Sequence, residues 1–187
     1  MKEISCETEI ETEYLVLRNL KLNDVSQKYV DWLNDSEINK YLKPTCIFHT
    51  MESCLDYVRS YEGRDDKALI GIFMKSDGLH IGNVTLSTID WQNKAGTIGI
   101  CIGRKEFIGK GFGKEVLSAV VRYCFLQLGL SCLQAYISAN NVKSLNLFEK
   151  CGFKVKKLLH GTSVIDGRSK DDYIVTITNR NSINDED

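Results

Sequence analysis

The chain has 187 residues, 43% hydrophobic, 26% charged and 9% aromatic, which suits one domain with its own core and excludes collagen-like or low-complexity chains. Lys plus Arg number 24 and Asp plus Glu 25, a net charge of -1, so composition lends no support to nucleic-acid binding through counterion release. No apolar run of about 18 residues is present, so no membrane span is expected. The N-terminus turns acidic after Ile4 instead of opening into the apolar stretch of a secretory signal. The 7 cysteines (Cys6, Cys46, Cys54, Cys101, Cys124, Cys132 and Cys151) are odd in number and form no C-x-x-C pair, which reads as free thiols in a reducing cytoplasm. His49, His80 and His160 lie far apart, so no metal centre is expected.

In chain order, 1–12 is expected to be loose, as is the polar, acidic tail 181–187. Tyr14-Leu15-Val16-Leu17-Arg18 reads as a first strand. Asn23-Asp24 is expected to cap a helix over 25–33. Asp35-Ser36 restarts a short helix toward Tyr41, broken by Pro44, and Thr50-Met51-Glu52-Ser53 opens another, in which Cys54, Leu55 and Val58 have helical spacing. Strands are expected over 68–74 and 79–89 around Ser76-Asp77-Gly78, then over 96–102 after Gln92-Asn93-Lys94, as consecutive antiparallel neighbours. A helix over 111–128 carries Val116, Leu117, Val120, Val121, Cys124, Phe125 and Leu128 on a broad apolar face. A strand over 132–137 leads to a helix capped by Asn141 and ended by Gly152. Strands over 153–159 and 172–178, around a turn containing Asp166-Gly167, complete a mixed α/β order.

The stretch Arg104-Lys105-Glu106-Phe107-Ile108-Gly109-Lys110-Gly111-Phe112-Gly113-Lys114-Glu115 sets glycines at alternate positions between a strand and a helix. Glycine lets backbone N–H groups turn toward one point. A helix N-terminus adds unpaired donors and partial positive charge. Together these favour a phosphate or pyrophosphate, and Lys110 and Lys114 add charge. The spacing G-x-G-x-G is not the dinucleotide fingerprint G-x-G-x-x-G, and Glu115 stands where a Walker A loop needs Ser or Thr. A glycine-rich helix start without a ligand is the bland alternative.

Further on come Asn140-Asn141-x-x-Ser144 and Phe148-Glu149-Lys150-Cys151-Gly152-Phe153. With Gly111-x-Gly113, these resemble the GNAT family of acetyl-CoA-dependent N-acetyltransferases, over nearly the whole chain (14–178). The glycine loop resembles the Q/R-x-x-G-x-G/A pyrophosphate motif, and the later block resembles N-x-x-[AS]-x-x-x-[YF]-E-K-x-G-F. The opening 15–20, Asp31-Trp32-Leu33-Asn34-Asp35 and Asp166-Gly167-Arg168 look most like the RimJ/RimL branch, which includes protein N-terminal acetyltransferases and relatives that acetylate amino sugars. The resemblance implies a single α/β (α+β) domain with a mixed, mostly antiparallel central sheet, splayed between the fourth and fifth strands, and helices on both faces. It implies a cytoplasmic enzyme of a family in which homodimers are common, with acetyl-CoA and a primary amine as partners, and with no metal, membrane or nucleic acid. The pantetheine arm would lie along Ile100, Cys101 and Ile102 like an added strand. The pyrophosphate would sit at Ile108, Gly109, Lys110, Gly111, Phe112, Gly113 and Lys114, with Asn141, Ser144 and Lys150 near the cofactor. A backbone N–H near Cys101 or Ile102 would polarise the thioester carbonyl.

This chain departs from the family pattern at Ile108, the Q/R position, at Phe148, where many relatives carry a tyrosine acid, and at Thr97, where some carry a glutamate. The acceptor therefore matters. A lysine amine, with a pKa near 10.4, is neutral for about one molecule in 10³ at pH 7, whereas an α-amine near 8 is neutral for about one in ten. The first needs a real base, and the second can be served by a water chain. Ser144, Asp90 and Cys101 are the catalytic candidates. Against them, Ser144 can be a mere cap, Asp90 a turn residue and Cys101 a small buried side chain. Trp32, His49 and Trp91 are the candidates for the acceptor cleft, with core packing or a solvated loop as the alternative. Lys40, Lys43 and Arg59 could hold a second phosphate, and Asp171 and Asp172 could attract a cation, although solvated faces explain both sets. The acceptors in competition are a protein N-terminal α-amine, which leads, and an amino sugar. A non-catalytic acyl-CoA-binding module is the reading from another class.

Overall fold

Alternation of apolar residues with period two builds the strands, and the two sets of side chains feed two separate cores. The computed structural model describes residues 8–42, 48–165 and 168–179. Its strands are β1 Glu9–Glu11, β2 Leu15–Asn19, β3 Ala68–Met74, β4 His80–Asp90, β5 Ala95–Ile102, β6 Cys132–Ser138, β7 Lys154–Ile165 and β8 Arg168–Thr178. Its helices are α1 Gln27–Asn34, α2 Ser36–Asn39, α3 Met51–Arg59, α4 Phe112–Leu126 and α5 Val142–Lys150. The strands form one 8-stranded sheet in the order β1-β2-β3-β4-β5-β6-β8-β7. Among the described residues, only β5 and β6 run parallel.

On one face, Leu15, Leu17, Ile70, Ile72, Val84, Leu86, Ile98, Leu133, Ala135, Ile137 and Val175 pack with Val116, Leu117, Val120 and Cys124 of α4 and Phe148 of α5. The opposite face is covered over one half only. There Leu69 and Phe73 of β3 meet Tyr29, Val30 and Trp32 of α1 and Cys54 and Val58 of α3. On the remaining half of that face Thr85, Thr97, Gly99, Gln134, Ile174 and Thr176 are partly exposed and Tyr136 is about half exposed. This uncovered half lies over the parallel pair.

Three expectations are corrected. The segment 1–12 is not loose throughout, because Glu9–Glu11 pairs with β2. Thr8 is buried beside Tyr123, with their hydroxyls 3.0 Å apart, and Lys75 donates to Glu11 at 2.8 Å. Local patterning carries no sign of this short edge strand, which pairs with neighbouring β2 but is tied down by side chains remote in sequence, Tyr123 and Lys75. The cap of α1 is Ser26, whose hydroxyl accepts from the Tyr29 N–H, and not Asn23-Asp24. Asp24 instead binds both terminal nitrogens of Arg18, at 2.7 and 2.8 Å. Because β1 adds a strand, the divergence expected between the fourth and fifth strands falls between β5 and β6. Pro44, Cys46, Lys43, Cys6 and the tail 181–187 lie outside the described residues, as does the Asp166-Gly167 turn.

Candidate active site

The parallel pairing of β5 with β6 is short. It joins Ala95 to Cys132, Gly96 to Leu133 and Thr97 to Gln134, and there it ends. From Ile98 and Ala135 onward the strands diverge, so the facing edges carry backbone groups without a strand partner, the condition in which an extended ligand can add as a strand. Ile100 and Ile102 lean against the α4-side core, and Cys101 points to the opposite face. The gap opens toward the glycine loop on one lip and toward Asn140 on the other.

The loop is built as the glycine pattern anticipates. Gly109 and Gly111 have φ of 81° and 92°, and a Cβ on either would meet nothing within 4 Å, so the loop backbone is left uncrowded. Gly111 is the N-cap of α4, and the helix's first amides, at Phe112 and Gly113, have no carbonyl behind them to accept. Gly113 lets α5 approach, since a Cβ there would lie 3.2 Å from Leu147 Cδ2. Lys110 lies over the Phe107 ring, and Ile108, Lys110 and Lys114 are exposed or nearly so. Glu115, the residue that breaks the Walker pattern, accepts from the Thr12 hydroxyl and from the Tyr14 N–H at 2.9 Å, tying the first turn of α4 to the β1–β2 turn. A backbone cradle at a helix N-terminus with two nearby lysines fits a pyrophosphate.

Across the gap, Asn141 caps α5, its side-chain oxygen accepting from the Ser144 N–H at 3.2 Å. Ser144 is partly exposed at the first turn and Lys150 is exposed at the last. Phe148 is buried and meets Phe153 edge-on at 4.9 Å. Burial pushes the Cys101 thiol up to about 12, which disfavours a thiolate nucleophile or base there. Asp90 belongs to the closed end of the gap, opposite Ala95, where its carboxylate accepts from the N–H and side-chain amide of Asn93 at 2.9 and 2.7 Å. Those hydrogen bonds hold its pKa below the ordinary carboxylate value, as the turn alternative expects.

The acceptor candidates are also redistributed. Trp32 is a core residue, only 7% exposed, and its ring lies flush on Gly103, where a Cβ would come within 1.7 Å. The Trp91 indole N–H donates to the Asp65 carbonyl at 3.0 Å, at the closed end. His49 and Asn34 exchange backbone and side-chain hydrogen bonds, both 2.8 Å, and so close the neck of the segment 34–49. Arg59 pairs with Asp56, and Lys40 lies over the Tyr41 ring, so neither joins a phosphate site with the other. Asp172 does not face water. It is wholly buried, accepting from the Thr162 hydroxyl at 3.1 Å, while Asp171 accepts from the Gly161 N–H and meets His160.

Tertiary structure also adds residues that sequence reasoning missed. Lys105 reaches from the start of the glycine loop to the carboxylates of Asp35, at 2.8 Å, and Glu37. The Tyr41 hydroxyl donates to the Asn140 carbonyl at 3.1 Å. The α2 segment is thereby strapped to both lips of the gap. On the uncovered face, Thr97 bonds the Thr88 hydroxyl at 2.8 Å and accepts from Gln134 at 3.3 Å. Thr85 Oγ1 fills the space where a Cβ on Gly99 would sit, 2.8 Å away. Thr85, Thr97, Gln134 and Tyr136 thus form a polar trough beside the gap with no carboxylate among the described residues lining it. The exposed half of an alternating strand was the only sequence signal for them, and every strand has one.

Comparison with known proteins agrees with this geometry. The family described as Acetyltransferase (GNAT) domain matches residues 14–154. An uncharacterized N-acetyltransferase, p20, of Bacillus licheniformis is 29% identical over 174 residues, 90% of this chain and 95% of that protein. Spermidine N-acetyltransferase from Vibrio cholerae, solved in complex with CoA and spermine, superposes with a TM-score of 0.80 at 22% identity, covering 88% of this chain and 95% of that one. A putative ribosomal-protein-serine acetyltransferase from Vibrio cholerae does so with a TM-score of 0.76 at 18% identity, covering 94% and 100%. These two likenesses speak for the fold, and the family match, together with the open β5–β6 gap and its glycine cradle, speaks for the chemistry. The chain belongs to the GNAT acetyltransferases and is an N-acetyltransferase that uses acetyl-CoA as its co-substrate.

Proposed function

We propose that this enzyme acetylates a small, hydroxylated primary amine of the amino-sugar type. The observation that carries the reading is the neutral trough of Thr85, Thr97, Gln134 and Tyr136, roofed at one end by the α2 strap. Hydroxyl and amide side chains suit an acceptor recognised by hydrogen bonds rather than by charge. Asp172, the carboxylate level with Ser138 on this face, is buried and so not offered to a bound ammonium. Among the described residues no carboxylate stands in the trough to deprotonate an amine of lysine-like pKa, so the acceptor must arrive largely neutral. Electron-withdrawing ring oxygens and hydroxyls lower the basicity of an amino sugar and meet that need.

A protein α-amine shares the low basicity and is the second reading, favoured by the resemblance to the RimJ/RimL branch. A folded protein's terminus would have to thread beneath the Tyr41–Asn140 bridge. In either case the backbone of Ile100, Cys101 and Ile102 takes the pantetheine, and the amides from Gly109 to Lys114 take the pyrophosphate. Ile108, Asn141, Ser144 and Lys150 flank the cofactor. A strand N–H at Cys101 or Ile102 receives the oxyanion, a geometry worth several kcal/mol where such donors are pre-aimed. The test is release of free CoA thiol against a panel of amino sugars with and without a nucleotide, N-terminal peptides and spermidine. Turnover with amino sugars is expected. Turnover with spermidine and none with any sugar would overturn the proposal.

A further inference from the structure

Direct transfer leaves two protons to move. The attacking nitrogen must lose one, and the departing sulfur must gain one. Phe148 has none to give, and its ring is buried against Phe153. The Thr97 hydroxyl is engaged with Thr88 and Gln134. Ser138 Oγ is buried without a hydrogen-bond partner, four residues beyond the last parallel pair at Gln134. Burial raises the Cys101 thiol pKa, which disfavours its giving up a proton.

Tyr136 differs from all of these. Leu133, Ala135 and Ile137 point into the α4-side core, so Gln134 and Tyr136 point to the uncovered face. Gln134 closes the last parallel pair, with Thr97, which makes Tyr136 the first side chain on that face beyond the point where the strands part. Two steps on from Thr97 on the facing strand is Gly99, which has no side chain to block the approach, with the Thr85 hydroxyl beside it. Tyr136 is 49% exposed, a high value for an aromatic residue inside a sheet flanked by β5 and β8. In the described structure its ring packs on no other aromatic residue.

Resting on the acetyltransferase reading of this gap, we propose that Tyr136 is a catalytic residue that carries the proton between amine and sulfur. The neutral amine attacks the thioester carbon and forms the C–N bond. As the C–S bond breaks, its electron pair goes to sulfur, which takes the Tyr136 hydroxyl proton. The phenolate oxygen then takes the proton that the new nitrogen must shed. Tyrosine ends as it began, and the products are the amide and free CoA thiol. A phenol is both donor and acceptor, which one residue needs to serve both transfers. Such a shuttle also removes the need for a carboxylate base at Thr97.

The test uses the full-length enzyme and its Tyr136→Phe variant. Because the hydroxyl is exposed and holds no structural hydrogen bond among the described residues, the variant is expected to keep its melting temperature and its acetyl-CoA affinity. Its kcat for thiol release with glucosamine, an N-terminal seryl peptide or spermidine is expected to fall by about 10²-fold, the lower end of what positioned acid–base groups supply. KM for the amine should change much less than kcat, because Thr85, Thr97 and Gln134 still line the trough. A kcat within a few-fold of wild type overturns the proposal. A second measurement needs no amine. In protein labelled with 3-fluorotyrosine, the resonance that Tyr136→Phe removes is expected to shift when acetyl-CoA alone is added. If calorimetry shows acetyl-CoA bound and that resonance stays still, Tyr136 does not face the reacting atoms and the proposal fails while the acetyltransferase reading stands. If acetyl-CoA does not bind at all, both fail together.

Discussion

Gly103 is the point where the covered face meets the active-site gap, and Gly103→Ala tests that junction. A methyl group there would lie 1.7 Å from Trp32 Cε3 and 2.0 Å from Cδ2. These atoms belong to a rigid ring that is itself only 7% exposed and is packed against Tyr29 and His80, with centroids 5.4 and 4.9 Å away. Neither partner can yield cheaply. Overpacking costs about 1–3 kcal/mol, and this overlap belongs at the top of that range. For a chain of this size about 3 kcal/mol corresponds to a fall in Tm of roughly 6–12 °C. Trp32→Ala by itself should cost about 3–5 kcal/mol through lost burial and the cavity left behind. In that background the added methyl has space, so Gly103→Ala should then cost almost nothing, a coupling of about 2–3 kcal/mol. Urea unfolding of the wild type, both single variants and the double variant measures this directly. A Gly103→Ala protein within about 0.5 kcal/mol of wild type, or strict additivity in the double variant, would refute the contact.

Gly111→Ala meets no atom within 4 Å, so its cost should be only that of a left-handed residue, about 1–2 kcal/mol, read by thermal unfolding. Gly111→Asp, at a similar cost, should abolish acetyl-CoA binding in calorimetry by setting a carboxylate on the anion cradle. Lys105→Met should lower stability by no more than about 1 kcal/mol, because the pairs with Asp35 and Glu37 are partly solvated. It should nevertheless speed amide exchange across 35–42, and unchanged exchange there would show that the strap is held by other contacts. Burial holds the His80 pKa below its ordinary value, with the nearby Arg18 charge acting in the same direction, while Asn83, Gly82 and Asp24 oppose them. The unfolded chain therefore takes up the proton first, so stability falls as pH drops through about 6.5 and recovers as it rises, by at most about 1.4 kcal/mol per pH unit. His80→Phe should flatten that slope between about pH 7 and 5 in urea titrations, and an unaltered slope would assign it to another group.

The local code in this chain is strong wherever a residue's neighbours in sequence are also its partners. The α4 stripe of Val116, Leu117, Val120, Val121 and Cys124 is buried as its spacing demands, Asn141 caps α5, and the Gly109 and Gly111 backbones take the left-handed turn that glycine permits. The geometry of the glycine loop, proposed to cradle the cofactor, was legible for the same reason, since it is one contiguous loop at one helix end. The proposed acceptor side was not legible. Its residues come from β4, β5 and β6, and α2 is brought beside them by contacts such as Lys105 to Asp35 and Tyr41 to Asn140. A sequence says that Tyr136 alternates with buried neighbours. That the parallel pairing stops one step before it, and that no helix covers it, depends on how far β5 and β6 can stay together while α4 and α5 wedge beneath them on the same side. Asp90, Trp32 and Asp172 went astray for this reason as well, because a carboxylate or an indole has the same letter whether it faces a cleft, a turn or a core. Sequence therefore determined most of the elements and the glycine loop, which are set by local periodicity and glycine chemistry, and its motifs pointed to the family. Tertiary structure decided which side chains stand at the open gap, because that is a matter of where strands part and what is left uncovered.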